Sequence, residues 1–245
     1  MQGKTLHYQI HGYEHDERSH KNGLIWFARH GESDAHIGKA AAHTEEIHLS
    51  RAGKRQAEEI ISDFPRPPDQ IISSPYMRAW ETASATLRRF PDTPHAIWPV
   101  QEFTYLGSQA GVYSTRSERR LLVDEYWRRG DPTYQDGNGE SFAQFIQRAR
   151  TAIRQLKRLD GFIVVFTHEQ FIRAIQGLLE GWLEETPGNM ARFREILLTQ
   201  PLDYCSTLRL SVGAELLRLH LCNKQERLWH IEHIPRARLT VPIGC

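Results

Sequence analysis

The stretch from residue 24 to residue 33, LIWFARHGES, is the feature that most limits how this chain can fold. Its first part, Leu24–Ala28, is apolar, which is typical of a strand buried on both faces of a parallel sheet. The strand ends abruptly in Arg29, His30 and Gly31. Open α/β sheets bind ligands at the carboxyl ends of their strands, so a cation and an imidazole are expected at a ligand-binding edge. The glycine allows close backbone approach, and an arginine beside a potential nucleophile suggests phosphate chemistry.

Strand-like and helix-like patterns alternate along the rest of the chain. The strongest further strand signal is a continuous apolar run at Phe162–Phe166, and the helical segments carry apolar residues at the spacing of one buried face. This alternation predicts an α/β fold, a three-layer sandwich with a mostly parallel central sheet flanked by helices. The predicted strands cover residues 24–28, 70–73, 96–100, 162–166, 207–212 and 216–221, the last two as a hairpin. The predicted helices run from Ser50 to the prolines at 65–68, from Ser74-Pro75 to about Phe90, from Phe142 to Gly161, and through Phe171–Trp182.

The 245 residues are enough for one large domain with a sizeable core. We expect residues 1–22 to form a polar, histidine-rich leader and residues 23–245 to form a single domain. Three leader histidines, His7, His11 and His15, would share one face of a helix, where they are able to ligate a transition metal. A glycine interrupts such a helix, so a solvated leader or an extra edge strand is the favoured interpretation.

Composition and charge exclude several classes of partner. The net charge of +1 gives no general attraction to nucleic acid or to acidic membranes. No apolar run approaches the roughly 18 residues of a membrane span, and the leader lacks the apolar core of a secretory signal. Three widely spaced cysteines, Cys205, Cys222 and Cys245, predict neither a disulfide framework nor a cysteine zinc site. We therefore expect a cytoplasmic protein with no nucleic-acid or membrane partner, and the sequence leaves its oligomeric state open.

Four short segments carry the residue types of one kind of chemistry. The first is the Arg-His-Gly segment around His30, and the second places Arg78 in the first turns of a helix. The free N–H groups and the positive dipole end of that helix add to the guanidinium charge. Glu102 follows a predicted strand end, and His168 follows the strongest strand. Because the carboxyl ends of parallel strands share one edge of a sheet, we expect these side chains to converge.

These segments resemble the histidine phosphatase superfamily, the phosphoglycerate-mutase-like proteins with an Arg-His-Gly motif. The resemblance runs from about Leu24 to Leu221. It includes residues 49–57, LSRAGKRQA, and Gly139-Glu140-Ser141 at the start of a predicted helix. It implies a phosphoglycerate mutase-like fold, with residues 23–245 as the catalytic domain, and a reaction through a phosphohistidine intermediate.

The resemblance implies a role for each matching residue. His30 is the nucleophile that accepts the phosphoryl group, and flanking arginine charge favours the neutral ring that attack requires. Glu102 protonates the leaving oxygen and then activates water. Arg29, Arg78 and the catalytic His168 hold the phosphoryl oxygens, so the predicted reaction requires no metal and no organic cofactor.

Two further residues near the nucleophile are candidate phosphate contacts. Ser33 is placed to donate to phosphate, although a serine there equally caps the next turn. His36 stands where the family often has a phosphate-binding asparagine, six residues after His30. Glu169 directly follows His168, where the family usually has glycine. We expect this carboxylate either to orient His168 or to repel a second phosphate group.

Three functions are compatible with this set of residues. A bisphosphoglycerate-dependent phosphoglycerate mutase must bind a second anionic group, and Trp127-Arg128-Arg129 superficially resembles the paired arginines of mutases. The long mutase insertion is not recognisable around them, which favours a phosphomonoester hydrolase with a small phosphorylated substrate. A catalytically weak phospho-ligand binding protein would bind without labelling of His30. The segments Phe103–Gly139 and Glu184–Gln200 are expected to shape the substrate pocket.

Overall fold

A computed structural model describes residues 23–37, 43–107, 119–212, 216–222 and 229–235, and beyond residue 211 it describes the backbone alone. The histidine-rich leader predicted for residues 1–22 lies outside these ranges. The division of the chain between leader and domain therefore stays a prediction.

Seven strands of the described chain form one mixed sheet. They are β1 (Gly23–Arg29), β2 (Gln70–Ser73), β3 (His95–Ile97), β4 (Phe162–Thr167), β5 (Thr207–Val212), β6 (Leu216–Cys222) and β7 (Trp229–Pro235). Their order in the sheet is β3-β2-β4-β1-β5-β6-β7. The first four pair in parallel, and the last three are added antiparallel beyond β1. Five of these seven strands point the same way, so the mostly parallel sheet is confirmed, and so is the hairpin of β5 and β6.

Six α-helices of the described chain accompany the sheet. They are α1 (Arg51–Glu59), α2 (Met77–Arg89), α3 (Arg120–Arg129), α4 (Phe142–Leu156), α5 (Glu169–Leu179) and α6 (Pro187–Thr199), with short 3-10 turns at Asp34–Ile37, Thr44–Glu46 and Ile60–Asp63. None of these helices is both long and apolar enough to cross a membrane.

Successive side chains of each strand point to opposite faces of the sheet, so the core consists of two layers. In β1, Ile25 and Phe27 point to the face that is covered by apolar residues of α4, α5 and α6. Trp26 and Ala28 point to the opposite face, where α1 and α2 pack. A strand exposes successive side chains to opposite faces, so an apolar run such as β1 is buried only when both faces are covered. The predicted three-layer sandwich is confirmed.

Two predicted helix starts are confirmed, and each carries a side-chain cap. The Ser50 hydroxyl accepts a hydrogen bond from Gly53 N and begins α1. Ser141 and Gln144 form a reciprocal capping box at the start of α4. Each cap satisfies backbone N–H groups that have no partner inside the helix.

Several predicted boundaries are wrong. The helix expected from Ser74-Pro75 begins at Met77, with Tyr76 in an extended conformation as the N-cap residue. The Ser74 hydroxyl accepts a hydrogen bond from Tyr76 N and contacts the ring of His168. The strand expected over residues 96–100 is shorter, since Pro99 has no N–H to donate to a ladder.

Two helix ends also differ from the prediction. α4 ends at Leu156, and Gly161 instead takes a positive φ of 86° in the turn before β4. Trp182, assigned by spacing to the helix after β4, lies beyond the end of α5. Its ring packs against Gly177, where an added Cβ would lie 2.8 Å from Trp182 Cζ2.

Three elements were missing from the prediction. α3 lies in a segment expected to be irregular, α6 in a segment expected only to shape the pocket, and β7 extends the sheet past the predicted hairpin. α3 and α6 bury few residues each, Tyr126 in α3 and Met190 and Phe193 in α6. Their apolar spacing is correspondingly weak, which explains why periodicity did not predict them.

Candidate active site

Adjacent strand ends bring the predicted residues to one edge of the sheet. Arg29, the last residue of β1, is in register with Thr167, the last residue of β4. β2 ends beside β4 on the other side, with Ser73 in register with Phe166. The next residues along the chain therefore lie close together, and the His30 and His168 ring centroids are 5.1 Å apart.

The His30 ring is buried and oriented by two hydrogen bonds. Nδ1 lies 2.7 Å from the Gly31 carbonyl oxygen, which can only accept, so Nδ1 carries the proton. Nε2 accepts a hydrogen bond from Arg78 Nε at 3.1 Å. Burial, reinforced by the charges of Arg78 and Arg29, holds the pKa of His30 well below its usual range. The ring is therefore neutral, with its lone pair on Nε2.

The loop after His30 rests directly on the start of α1. A Cβ added to Gly53 would lie 1.9 Å from Glu32 O, and one added to Gly31 would lie 2.5 Å from Gly53 O. Glu32 N donates to Gln56 Oε1 at 2.8 Å. The stretch at residues 49–57 that accompanies the Arg-His-Gly motif is thus its structural support.

Arg78 is the second residue of α2 and is buried there. Its Nη1 donates to Thr44 O at 2.8 Å while Nε contacts His30. Burial lowers the pKa of Arg78 to about 10, which leaves the guanidinium charged at neutral pH. The side chain thus presents a fixed cation at the His30 ring.

His168 is the N-cap residue of α5 and is fully buried. Its Nε2 forms a hydrogen bond of 2.8 Å with Ser74 Oγ. Burial, followed by the charge of Arg78, holds the pKa of His168 well below its usual range. The ring is therefore neutral and lies beside His30, as predicted.

Arg29 is held by a carboxylate on the neighbouring helix. Its Nη1 lies 3.1 Å from Glu169 Oε2 and donates to Leu202 O. Glu169 Oε1 in turn accepts from Leu202 N at 2.8 Å. The guanidinium carbon of Arg29 lies 4.7 Å from the ring centroid of Tyr204. The expectation that Glu169 orients His168 is wrong, because the carboxylate pairs with Arg29 instead.

Glu102 lies in the segment after β3 and reaches the start of α5. Its Oε1 accepts from Gln170 N at 3.0 Å. Burial raises the pKa of Glu102 to about 7, an effect that Arg78 opposes and Glu169 reinforces. Near neutral pH this carboxyl therefore exists in both the protonated and the ionised form.

Arg148 of α4 fixes the segment that carries Glu102. Its Nε and Nη2 donate to the two Glu140 carboxylate oxygens at 2.8 and 2.7 Å. Its Nη1 donates to Pro99 O at 3.0 Å and to Gln101 O at 2.9 Å. This bidentate pair connects the Gly139-Glu140-Ser141 sequence to the candidate acid.

Ser33 and His36 contact each other near His30. Ser33 Oγ lies 2.8 Å from His36 Nδ1. The His36 ring centroid lies 5.9 Å from that of His30 and 5.1 Å from that of Tyr204. Both residues line the same cleft as His30, and their contact with phosphate stays a prediction.

A cleft of about 1750 Å³ opens at this edge of the sheet. His30, Arg29, Arg78 and Glu102 line its inner part, and His168 lies buried behind them. The outer walls come from the two segments that the sequence assigned to the pocket, including Val123 of α3 and Leu197 of α6, as well as Tyr105.

Sequence reasoning missed the supporting residues. The sequence marked Glu169 as an unusual residue directly after His168, but it did not predict that the carboxylate pairs with Arg29. Arg148 and Tyr204 gave no signal, because an arginine on a helix and a tyrosine in a short connection are ordinary features of a protein surface.

Comparison with known proteins identifies one family. The model of the histidine phosphatase superfamily (branch 1) matches residues 25–224. The adenosylcobalamin/alpha-ribazole phosphatase of Salmonella typhimurium is 28% identical over 148 residues, which cover 56% of this chain and 67% of that protein.

Solved structures show the same fold at lower identity. A putative alpha-ribazole-5'-P phosphatase from Escherichia coli superposes with a TM-score of 0.64 at 20% identity and covers 85% of this chain and 98% of that one. A mycobacterial glucosyl-3-phosphoglycerate phosphatase has a TM-score of 0.61 at 22% identity, with 82% and 98% covered. At this identity the likeness concerns the fold.

Proposed function

This chain belongs to branch 1 of the histidine phosphatase superfamily, and from that premise we propose that it hydrolyses a phosphomonoester through phosphohistidine on His30. The observation that carries the proposal is the state of the ring. Nε2 accepts from Arg78 while Nδ1–H donates to Gly31 O. An attacking nitrogen must be unprotonated, and this arrangement supplies one.

In the first step, Nε2 of His30 attacks phosphorus and the bond from phosphorus to the leaving oxygen breaks. Glu102 transfers its proton to that oxygen, which leaves as an alcohol. A pKa of about 7 suits this role, because the carboxyl retains a proton near neutral pH. Arg29, Arg78 and His168 surround the phosphoryl group and stabilise its charge in the transition state.

In the second step, water attacks the phosphohistidine. Glu102, now a carboxylate, takes a proton from the water, and inorganic phosphate leaves His30. Since Arg29 and Arg78 supply the positive charge, the proposed reaction uses no metal and no organic cofactor. A cytoplasmic location is part of the same proposal.

The positions of Arg128 and Arg129 favour a phosphatase over a mutase. Arg128 Nε donates to Glu125 at 3.1 Å, and the Arg129 guanidinium lies 3.9 Å from the Tyr134 ring centroid. Neither arginine is among the described residues that line the cleft. A mutase needs a second anion site inside the pocket, and Arg128 and Arg129 contact Glu125 and Tyr134 instead.

The test is phosphate release from p-nitrophenyl phosphate and a panel of small phosphomonoesters in EDTA. We compare the wild type with His30→Ala and, as a matched control, His48→Ala, since His48 is largely exposed and pairs with Glu81 at 2.8 Å. Metal-independent turnover and acid-labile labelling should disappear in His30→Ala and persist in His48→Ala.

Other outcomes lead to different conclusions. Activity that survives in His30→Ala overturns the proposal. Binding of phosphomonoesters without labelling or turnover favours the phospho-ligand binding protein, and labelling with turnover only when 3-phosphoglycerate and bisphosphoglycerate are both supplied favours the mutase.

A further inference from the structure

The charges that line the cleft are balanced. Among the described lining residues, five are arginines and five are aspartates or glutamates. Arg29 and Arg78 lie beside His30 and are needed for one phosphoryl group. A cleft built for a substrate with two anionic groups would carry an excess of cations.

Two arginines of the outer cleft already face a carboxylate. Arg120 Nε lies 3.7 Å and Arg194 Nη2 lies 3.8 Å from the side chain of Asp124. Asp124 thus offsets part of the positive charge of both arginines. These two arginines are therefore less available to a second anion than unpaired arginines would be.

Glu169 places a negative charge at the phosphoryl end of the cleft. It lines the cleft, and its side chain is 15% exposed. Its position is fixed on both sides, since one oxygen contacts Arg29 and the other accepts from Leu202 N. The next residue, Gln170, donates its N–H to Glu102. The carboxylate therefore contacts the proposed phosphate-binding Arg29, and it belongs to the residue next to the one that donates to the proposed general acid.

We propose that Glu169 determines specificity by restricting the enzyme to phosphomonoesters whose leaving group carries no second negative charge. The inference rests on the proposed function, because the selection acts during hydrolysis at His30. An anion on the leaving group meets a fixed carboxylate at short range, and repulsive elements of this kind reject competing substrates.

The experiment compares two substrates of nearly the same shape, glycerol 3-phosphate and 3-phosphoglycerate, which differ by a hydroxymethyl group against a carboxylate. We measure kcat/KM for both at pH 7. The wild type should prefer glycerol 3-phosphate by about tenfold, the effect of roughly one close like-charge contact. The preference should weaken as the salt concentration rises, because salt screens charges that solvent reaches.

Two variants test whether Glu169 is responsible. Glu169→Gln keeps an oxygen that can accept from Leu202 N but removes the charge, and Glu169→Gly removes both. Each should lower the preference about tenfold. Glu185→Gln is the matched control, because it removes the same charge from an arginine ion pair, with Arg150 at 2.9 Å, that is not among the described lining residues.

The outcomes separate this inference from the proposed function. An unchanged substrate ratio in both Glu169 variants, with hydrolysis intact, overturns the inference and leaves the phosphatase standing. A wild-type preference for 3-phosphoglycerate also overturns it. If the wild type hydrolyses neither substrate and His30 is never labelled, the proposed function fails and the inference fails with it.

Discussion

Arg78 Nε and His30 Nε2 lie 3.1 Å apart, and the hydrogen bond between them joins a cation of the candidate site to the proposed nucleophile. The arginine donates to the same lone pair that must reach phosphorus. Entry of a phosphoryl group therefore replaces this contact with contacts from the guanidinium to phosphoryl oxygens. Burial, with the charge of Arg78, holds the pKa of His30 low, and the bond keeps Nε2 facing the guanidinium.

We expect Arg78→Ala to lower kcat by about 10²–10³-fold, because it removes a cation that stabilises the transition state. The charge of Arg78 also lowers the pKa of His30. Without it that pKa rises, more imidazolium forms in acid, and the acidic limb of the kcat/KM profile moves to higher pH. Arg88→Ala, an exposed position in the last turn of the same helix, is the control and should leave both values unchanged. An unmoved acidic limb in Arg78→Ala would contradict the assignment.

Glu102→Gln should abolish the alkaline limb of the profile. The wild-type acid is protonated below its pKa of about 7, so the first step slows as the pH rises through that value. The loss should reach about 10²–10⁴-fold for an alkyl phosphate. It should be smaller in the phosphorylation step for p-nitrophenyl phosphate, whose leaving group departs without a proton. Single-turnover measurements on both substrates test this difference, and equal losses would assign Glu102 a role other than proton donor.

Gly53→Ala should destabilise the protein and impair the nucleophile together. The added methyl group would lie 1.9 Å from Glu32 O, so the loop after His30 has to move. We expect a loss of about 2–3 kcal/mol in the free energy of unfolding, the upper part of the range of about 1–3 kcal/mol for overpacked sites. Gly188→Ala in α6 is the control, since its Cβ meets no atom within 4 Å. Denaturant melts and kcat report the two effects, and a wild-type melt in Gly53→Ala would refute the contact.

Arg148→Ala should reduce kcat by about tenfold through misplacement of Glu102. It should also cost about 3 kcal/mol of stability, as expected when one partner of a largely buried ion pair is removed. Arg150→Ala on the same helix breaks a more exposed pair with Glu185 and should change stability by less than about 1 kcal/mol. KM should be nearly unchanged in both variants, and a large rise in KM for Arg148→Ala would place its role in binding.

The sequence predicted the proximity of the two candidate site histidines because both follow strong local patterns. β1 and β4 are continuous apolar runs, and strands of that kind are buried in parallel sheets whose carboxyl ends meet. His30 and His168 each follow such a run directly, so their proximity follows from the fold class. Glu102 was harder to place, since it stands five residues beyond the short strand β3.

The supporting contacts depend on side chains that no local pattern connects. Glu169 and Leu202 are 33 residues apart, and Glu32 and Gln56 are 24 apart. Arg148 reaches the Glu102 segment because α4 packs on one face of the sheet, a matter of tertiary packing rather than of spacing. α3 and α6 likewise form because a few residues of each pack into the core, although the spacing of their apolar residues is weakly helical.

The proton on His30 Nδ1 is held by a main-chain oxygen, that of Gly31. Every amino acid carries such a carbonyl, so no substitution at position 31 deletes the acceptor itself. We therefore expect a main-chain atom to determine which ring nitrogen of His30 is free to attack, whereas rate and selectivity depend on side chains. Substitutions of the side chains around the ring should change the rate of the proposed reaction, but phosphorylation should stay on the τ nitrogen, which is Nε2.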